Sequence, residues 1–229
     1  MSNRPNKSLL FRIARDINRK RIQLKNAIKY QLRKRTIREL RSVLPENVSI
    51  ISSNCFAGRI YQDLKLPYLT PTAGLFFLAK DFNEFCRDVR YYTTAAELKF
   101  VSESKNQQVN ERRRKYNLCY PIGVLDNKVE IHFLHYKSEN EAKLKWERRC
   151  RRINYDNLMF IGMEQNYCTV SDIVEFQTVT PPYVPKYYFS TKCLPDIQSN
   201  ITMNRYNDEI GNAVEDCQYF YKDLIKRLK

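Results

Sequence analysis

The chain has 229 residues, of which 43% are hydrophobic and 28% charged, a composition that suits one α/β domain with a complete hydrophobic core. It contains no glycine-rich phosphate-loop motif and no apolar run of about 18 residues, so neither a P-loop enzyme nor a membrane-spanning protein is expected. Its seven scattered cysteines have no C-x-x-C spacing, so we expect reduced thiols and no metal site. The unusual feature of the composition is the net charge of +15.

The basic charge is concentrated at the start of the chain. Residues 1–41 carry 14 lysines and arginines but only two acids, which gives +12 of the total +15 and leaves +3 for the rest. Apolar residues from Leu10 to Leu32 recur at helical spacing, so residues 1–44 are predicted to form a basic amphipathic helical segment ahead of a single α/β domain over residues 45–229. This segment can pack its apolar side on the domain, lie on an anionic membrane surface, or bind nucleic acid. Nucleic acid is the least expected partner, because aromatic side chains for base stacking are sparse there.

The first predicted strand covers VSIISS at residues 48–53 and leads into a turn with three candidate binding residues. Asn54 can offer hydrogen-bond donors and acceptors to sugar hydroxyls, and Gly58 can allow a ligand close to the backbone. Ordinary turn chemistry also explains both residue types. Cys55 is a candidate for substrate contact, but to act as a nucleophile it would need a base within reach.

Downstream of this turn, the pattern predicts a loop, a helix, a strand and an irregular excursion. Thr72 lies in the turn before the apolar run LFFL and is a further candidate for substrate binding. Asp81 is predicted to cap a helix that continues to about Tyr92, and residues 98–101 to form a strand. Residues 102–116 are polar without an apolar face, so we interpret them as a solvated insertion or, alternatively, as a mobile lid over the site.

The most informative pattern predicts a strand, a turn and a helix between residues 129 and 154. Residues 120–125 and 129–136 are rich in β-branched and aromatic side chains and predict a pair of strands joined as a hairpin. Ser138 and Glu141 have the spacing of a capping box that opens the helix. The inner face of that helix is predicted from apolar side chains at helical spacing: Ala142, Trp146, Cys150 and Ile153.

We expect the chemistry at the end of strand 129–136, in one crevice with the turn after residue 53, because ligands of α/β sheets bind beyond strand ends and against helix N-termini. His135 is the predicted catalytic residue, since free imidazole can act as a base near neutral pH. His132 faces the other side of the strand, so the two histidines are a poor metal pair, and both a binding and a buried structural role are open to His132. The remaining candidates for substrate binding are Tyr136, Lys137, Ser138, Arg149 and Arg152.

Two of these groups have competing interpretations. Lys137 and the helix start at Ser138 are expected to meet a phosphate group of the substrate, because a helix N-terminus offers free N–H groups and partial positive charge. Arg149 and Arg152 can bind a diphosphate or form a solvated helix face.

The rest of the chain continues the alternation of strands and helices. Strands are predicted at residues 157–163 and 186–191. One helix is predicted to open at Thr169 or Ser171 and to end at Phe176, and another to cover residues 208–229. This alternation predicts an α/β fold, a three-layer sandwich with a mainly parallel, mixed sheet that is Rossmann-like.

Several long and unusual motifs carry a resemblance to a known family. They are SIISSNC--G-IYQDL-LPYLTPTAGLFF, YPIGVL, IHFLHYKS followed by EA and KW-RR--RIN, and CTVSDIVEF, which together cover about residues 48–195. With these motifs the chain resembles a bacterial family described as exopolysaccharide biosynthesis proteins. The resemblance implies a setting in surface-polysaccharide assembly more than a particular reaction, and it favours a site role for Asn54 and Gly58. The family more often has a second glycine where this chain has Ala57, which counts against close ligand approach there.

The sequence favours group transfer over other common reactions. Redox and hydrolase signatures are absent, and no D-x-D pair could hold a metal on a nucleotide sugar, so basic side chains and helix dipoles would have to hold a diphosphate. We therefore expect a transferase without a cofactor that acts on a sugar or sugar phosphate, either free or lipid-linked, in exopolysaccharide or capsule biosynthesis. The alternative is a non-enzymatic sugar-binding or scaffold subunit, and the third candidate is a nucleic-acid-binding protein. Since an apolar signal core is missing, the protein is expected in the cytoplasm, free or peripheral at the inner face of the membrane through residues 1–41.

Overall fold

The structure, a computed structural model, describes residues 31–229. Within this range strands and helices alternate along the chain. The strands are β1 (Ser49–Ser52), β2 (Leu98–Val101), β3 (Ile122–Leu125), β4 (Val129–His132), β5 (Leu158–Met163), β6 (Lys186–Ser190) and β7 (Asn200–Thr202). The helices are α1 (31–43), α2 (Phe56–Leu64), α3 (Ala79–Arg87), α4 (Val89–Thr94), α5 (Gln107–Lys115), α6 (Glu139–Cys150), α7 (Val170–Val179) and α8 (Cys217–Leu228).

Two sheets form the framework of the domain. Strands β1, β5, β6 and β7 lie in that order in a parallel sheet, and β2, β3 and β4 form an antiparallel sheet. The segment around Phe76 joins them, since Phe76 pairs with His132 at the end of β4 while the Phe77 N–H donates to the carbonyl of Ser53 at 2.8 Å. The predicted α/β class with a mainly parallel, mixed strand arrangement is confirmed, although the antiparallel strands form a sheet of their own.

The parallel sheet separates two hydrophobic cores, as in a three-layer sandwich. Neighbouring residues of β1 point to opposite faces, so Ile50 packs in the core formed with α1, α2 and α8, and Ile51 packs in the core formed with α3, α4, α6 and α7. The antiparallel sheet borders the second core through Val129 and Ile131. Both faces of β1 are therefore buried, which is why its sequence does not alternate between apolar and charged residues.

Some predicted elements differ from the structure in type or extent. The irregular excursion predicted over residues 102–116 contains helix α5, whose first N–H groups donate to the side chain of Asn106 at 2.9 and 3.3 Å. The helix predicted after Asp81 breaks at Asp88 into α3 and α4, because Asp88 leaves the helical conformation and its side chain caps the second helix. Helix α8 is shorter than predicted, and β7 is an element that the pattern does not reveal.

Residues 1–30 of the predicted basic segment lie outside the described residues. The described part, α1, packs on the domain through Leu40, which is fully buried, and Arg33 forms an ion pair with Asp63 at 2.6 Å. Leu32, the last residue of the predicted apolar stripe, is 51% exposed. In the described part of the chain, no helix has both the length and the apolar character needed to cross a membrane.

Candidate functional site

A crevice opens at the carboxyl ends of the neighbouring parallel strands β1 and β5. β1 leads into α2 on one face of the sheet, whereas β5 leads into α7 on the other face. Because these connections leave in opposite directions, the strand ends are followed by a gap, which is the usual ligand position in open parallel sheets. Asn54 and Cys55 border the gap from β1, and Gln165 and Tyr167 border it from β5.

The larger part of the crevice is a cavity of about 440 Å³, which we call the apolar chamber. Most of the apolar and aromatic side chains of its wall come from outside the β1 and β5 turns, and they include Phe76, Val109, Leu118, Tyr120, Leu134 and Val214. Helix α5 is held at this wall by hydrogen bonds from Arg112 to the side chain of Asn166 at 3.0 Å and from the Tyr167 hydroxyl to the carbonyl of Gln108 at 3.3 Å. The segment interpreted as a solvated insertion or a lid is therefore part of the wall of the crevice.

A second cavity of about 260 Å³, the basic chamber, lies beside the first. Three cationic side chains line it: Arg59, Lys145 and Arg149. No carboxylate among residues 31–229 lines it, so the chamber suits an anion. In the same range, no group of three or more His, Cys, Asp or Glu side chains could hold a metal ion. Cys55, His135 and Val214 line both chambers, which therefore meet at these residues. The turn after β1 and the segment after β4 share one crevice, as we expect from the sequence.

Hydrogen bonds fix the turn that brings Cys55 to the junction of the chambers. The side-chain oxygen of Asn54 accepts the Phe56 N–H at 2.9 Å, and its amide nitrogen donates to the side chain of Gln165 at 2.7 Å. The polar atoms of Asn54 are thus engaged in joining the ends of β1 and β5. This supports the turn interpretation of Asn54, with a positioning role at the crevice.

Two glycines let the loop between α2 and α3 run close to both sides of the crevice. A Cβ added at Gly58 would lie 3.0 Å from the Cβ of Ala73, so this glycine allows close packing of α2 on the loop, and its φ is not positive. Gly74 has a φ of +82°, and a Cβ there would lie 3.2 Å from the ring of Tyr136. The Gly74 carbonyl accepts the His135 N–H at 3.0 Å, which holds the predicted catalytic residue at the junction.

Cys55 and His135 differ in the chemistry available to them at neutral pH. The Cys55 thiol donates to the carbonyl of Leu75 at 3.5 Å, and burial raises its pKa to about 11. Cys55 therefore meets a substrate as a neutral thiol, which is a weak nucleophile. The His135 side chain is exposed and makes no hydrogen bond within the described part of the chain, so both ring nitrogens are open to a substrate.

Arg149 places an enclosed positive charge in the basic chamber. It is only 9% exposed, and its Nη1 donates to the carbonyl of Ala73 at 2.6 Å and to the hydroxyl of Tyr136. Its guanidinium lies 4.9 Å from the centroid of the Tyr68 ring, an attractive cation–π contact. Its Nε–H has no hydrogen-bond partner, and no carboxylate among residues 31–229 forms an ion pair with it. Arg149 thus lies in the crevice and not on the solvated face of α6.

Two predicted site residues, Thr72 and His132, lie in the core and outside both chambers. Thr72 is fully buried, and its hydroxyl accepts the Ser52 N–H at 3.1 Å. His132 is fully buried as well, and its ring stacks on Phe76 with the centroids 4.4 Å apart. Its Nε2 lies 2.9 Å from Oε1 of Glu130, although not along the direction of a straight hydrogen bond. Neither side chain can reach a ligand in the crevice, and the position of His132 favours its structural interpretation.

Three further candidates, Lys137, Ser138 and Arg152, lie near the ends of α6 and line neither chamber. Ser138 caps the helix, since its hydroxyl accepts the Glu141 N–H at 3.2 Å. The Glu141 carboxylate in turn accepts the Lys137 N–H at 2.8 Å and brings a negative charge to the helix N-terminus. This negative charge disfavours the phosphate expected at this position. Arg152 is exposed beyond the helix, in agreement with a solvated face.

The basic chamber also contains residues that the sequence does not single out: Arg59, Gln62, Tyr68 and Lys145. Lys145 precedes Arg149 by four residues, so both lie on one side of α6, and helical spacing could have identified it. Arg59 and Gln62 follow Gly58 on α2 and lack any motif of their own. Tyr68 comes from a loop whose position depends on the whole fold.

Comparisons with known proteins identify relatives without naming a reaction. A family described as a domain of unknown function, DUF1919, matches residues 23–228, which include every residue of both chambers. A protein of Haemophilus influenzae, described as an uncharacterized protein, is 31% identical over 177 residues, which span 76% of this chain and 78% of the relative.

Proposed function

Because the chain belongs to the DUF1919 family, a domain of unknown function, we propose its function from the crevice: it is a transferase that acts on a sugar or lipid-linked sugar. The observation that supports this proposal is the meeting of two chambers of different character at His135. A donor and an acceptor can occupy one chamber each, and their reacting atoms then meet beside a free imidazole. Holding two reactants in this way is what group transfer requires.

Sugar transfer assigns a role to each part of the crevice. His135 takes the proton from an acceptor hydroxyl, whose oxygen attacks the anomeric carbon of the donor sugar. The bond from that carbon to its phosphate oxygen breaks, and the leaving phosphate keeps the electron pair. Cationic side chains of the basic chamber, with Arg149 foremost, offset the negative charge that develops on the leaving group. The apolar chamber accommodates the other reactant, with Tyr120 and Tyr167 as faces for a sugar ring or a lipid.

The biological setting that we propose is exopolysaccharide or capsule biosynthesis. It rests on the resemblance of the motifs in residues 48–195, and two of these motifs supply the junction of the chambers. SSNC contributes Asn54 and Cys55, and IHFLHYKS contributes His135 and Tyr136. The residues that carry the resemblance are therefore also residues of the crevice.

A sugar-binding or scaffold subunit without catalytic activity is the second candidate. One observation favours it: no side chain within residues 31–229 orients the His135 imidazole through a hydrogen bond. General bases are commonly held in place by such a third group. A nucleic-acid-binding role remains the third candidate and would depend on residues 1–41.

Sugar transfer can be tested with a panel of nucleotide sugars and saccharide acceptors, by measuring release of the nucleoside phosphate. His135→Gln should lower the rate of transfer about 100-fold or more and leave donor affinity unchanged, because the imidazole acts on the acceptor proton. Lys137→Gln, two residues further on and outside both chambers, is the matched control and should retain the wild-type rate. Equal rates in His135→Gln and the wild type would refute the role of His135, and sugar binding without turnover would favour the binding subunit.

We also propose that residues 1–41 hold the protein at the cytoplasmic face of an anionic membrane. The partition of charge supports this, because each basic residue near an anionic leaflet contributes about 1 kcal/mol. Co-sedimentation with liposomes should require anionic lipid, weaken with salt, and be lost when residues 1–30 are deleted while α1 is kept. Binding that survives this deletion, or that does not depend on anionic lipid, would contradict the proposal.

A further inference from the structure

The basic chamber contains a buried positive charge that the fold does not neutralise. Of its three cations, Arg59 pairs with Asp63 at 3.0 Å and Lys145 pairs with Glu141 at 2.5 Å. Arg149 is the most buried of the three, and no acid among the described residues pairs with it. Burial of a charge is costly unless an opposite charge or enough hydrogen bonds compensate it. A ligand anion in the chamber would supply the missing counter-charge to this guanidinium.

The start of α2 adds one free backbone donor, the Gly58 N–H, on another wall of the same chamber. The helix begins after Cys55, which provides no side-chain cap. The Asn54 side chain accepts the Phe56 N–H at 2.9 Å, and the Ser52 hydroxyl accepts the Ala57 N–H at 3.0 Å. Gly58, in the first turn, lines the basic chamber, and its N–H has no hydrogen-bond partner within the described residues. A helix N-terminus carries about half a positive charge. An anion between this turn and Arg149 would therefore meet positive potential from two sides.

We propose that the basic chamber binds the phosphate or diphosphate group of the substrate, through Arg149, Lys145 and the first turn of α2. A phosphate presents more acceptor oxygens to a guanidinium than a carboxylate does and carries more charge, so it can meet Arg149 and Lys145 together. The chamber opens into the apolar chamber at Cys55 and His135, so the group esterified to the phosphate extends towards the junction. That the group attached to the phosphate is a sugar rests on the proposed function, whereas the anion site itself does not.

Binding of inorganic pyrophosphate to the full chain, measured by calorimetry at constant ionic strength, tests this inference. The wild type should bind one equivalent with a saturable isotherm. Arg149→Gln should weaken binding about ten-fold or more, because hydrogen bonds to a charged group are among the strongest in proteins. Arg152→Gln changes an exposed arginine three residues further along and should bind within about two-fold of the wild type.

Two measurements keep the test decisive if Arg149→Gln does not fold. Lys145→Gln changes a side chain that is 37% exposed at the rim of the chamber, and it should weaken pyrophosphate binding about three-fold without loss of structure. In the wild type, the Nε–H resonance of Arg149 should shift on addition of pyrophosphate. Absence of saturable binding to the wild type, or equal affinities of Arg149→Gln and Arg152→Gln, would overturn the inference.

Failure of this inference and failure of the proposed transfer are distinguishable. Binding of pyrophosphate that depends on Arg149, together with the absence of sugar transfer to any acceptor, would leave the anion site intact and remove the transferase. Sugar transfer by a protein that does not bind pyrophosphate would support the transferase and remove the anion site. The source of the phosphate follows from competition: a soluble hexose 1-phosphate displaces pyrophosphate if the substrate is free, and vesicles that contain a polyprenyl phosphate displace it if the substrate is lipid-linked.

Discussion

Replacement of Trp146 by alanine should destabilise the fold by about 3–5 kcal/mol, the usual cost of removing a core aromatic side chain. Trp146 is 4% exposed on the inner face of α6, where the sequence predicts it, and its ring centroid lies 6.0 Å from that of Phe85 and 6.2 Å from that of Phe133. These neighbours belong to α3 and to the segment after β4. The side chain therefore attaches α6, which carries Lys145 and Arg149, to two other elements.

The loss of stability in Trp146→Ala depends on how far the neighbouring side chains can move into the space that the indole leaves. Phe85 and Phe133 are fully buried and contact further rings, so they cannot move far to fill the space that alanine leaves. The loss of stability is then the sum of two contributions: the free energy gained by burying the indole away from water, which is lost, and the free energy cost of the cavity that remains. Trp146→Phe keeps an aromatic ring in place and should cost only about 1–2 kcal/mol.

Urea unfolding followed by far-UV circular dichroism measures these differences. Fluorescence is unsuitable, because Trp146 is the only tryptophan of the chain. Leu144→Ala lies on the exposed side of the same helix and should change the free energy of unfolding by less than about 0.5 kcal/mol. A cost below about 1 kcal/mol for Trp146→Ala would refute the reasoning, and loss of transfer at unchanged stability would make the ring a substrate surface instead.

Two further predictions concern other buried positions. Gly162→Ala in β5 should lower the free energy of unfolding in urea by about 2 kcal/mol or more, because the new Cβ would lie 2.2 Å from the fully buried ring of Tyr188. A variant as stable as the wild type would show that this ring can move aside. Glu130→Gln should flatten the loss of stability that the wild type shows below about pH 4.3. Burial raises the pKa of Glu130, but His132 and neighbouring hydrogen-bond donors outweigh burial and hold that pKa below its ordinary value. The wild type therefore loses stability as the pH falls through the folded pKa of Glu130, and the variant lacks this carboxylate. The exposed Glu103→Gln is the control, and an acid limb that is identical in Glu130→Gln and the wild type would contradict this account.

Short-range patterns predicted the elements that border the crevice. VSIISS and the run from Val129 form strands, Ser138 caps α6, and the apolar spacing of α6 turns Trp146 inward. Each of these signals depends on neighbours within one or two turns of chain. The predicted crevice between the ends of β1 and β4 is present, but not for the reason expected. β4 belongs to the antiparallel sheet, and its end lies beside that of β1 because the segment around Phe76 bonds to both.

The missed features depend on long-range contacts or on weak local signals. Helix α5 buries only Val109 and Asn110, so its sequence has no apolar stripe from which a helix could be predicted. Arg59 and Tyr68 reach the basic chamber only when α2 and the following loop pack against α6. The phosphate expected at the start of α6 is disfavoured because Glu141, whose carboxylate accepts the Lys137 N–H, is itself an anion.

The loop between α2 and α3 explains how one crevice is assembled from two sheets. Its carbonyl groups accept hydrogen bonds from Cys55, His135, Tyr136 and Arg149. Immediately after these carbonyls, Phe76 pairs with β4 and Phe77 bonds to the end of β1, so one short run of backbone touches both sheets and both chambers. Because this run acts through its main chain, its sequence shows no charged or nucleophilic residue that would mark it as part of a site. Its one chemical sign is Gly74, whose φ of +82° lets the loop pass the ring of Tyr136 and hold His135 where the two chambers meet.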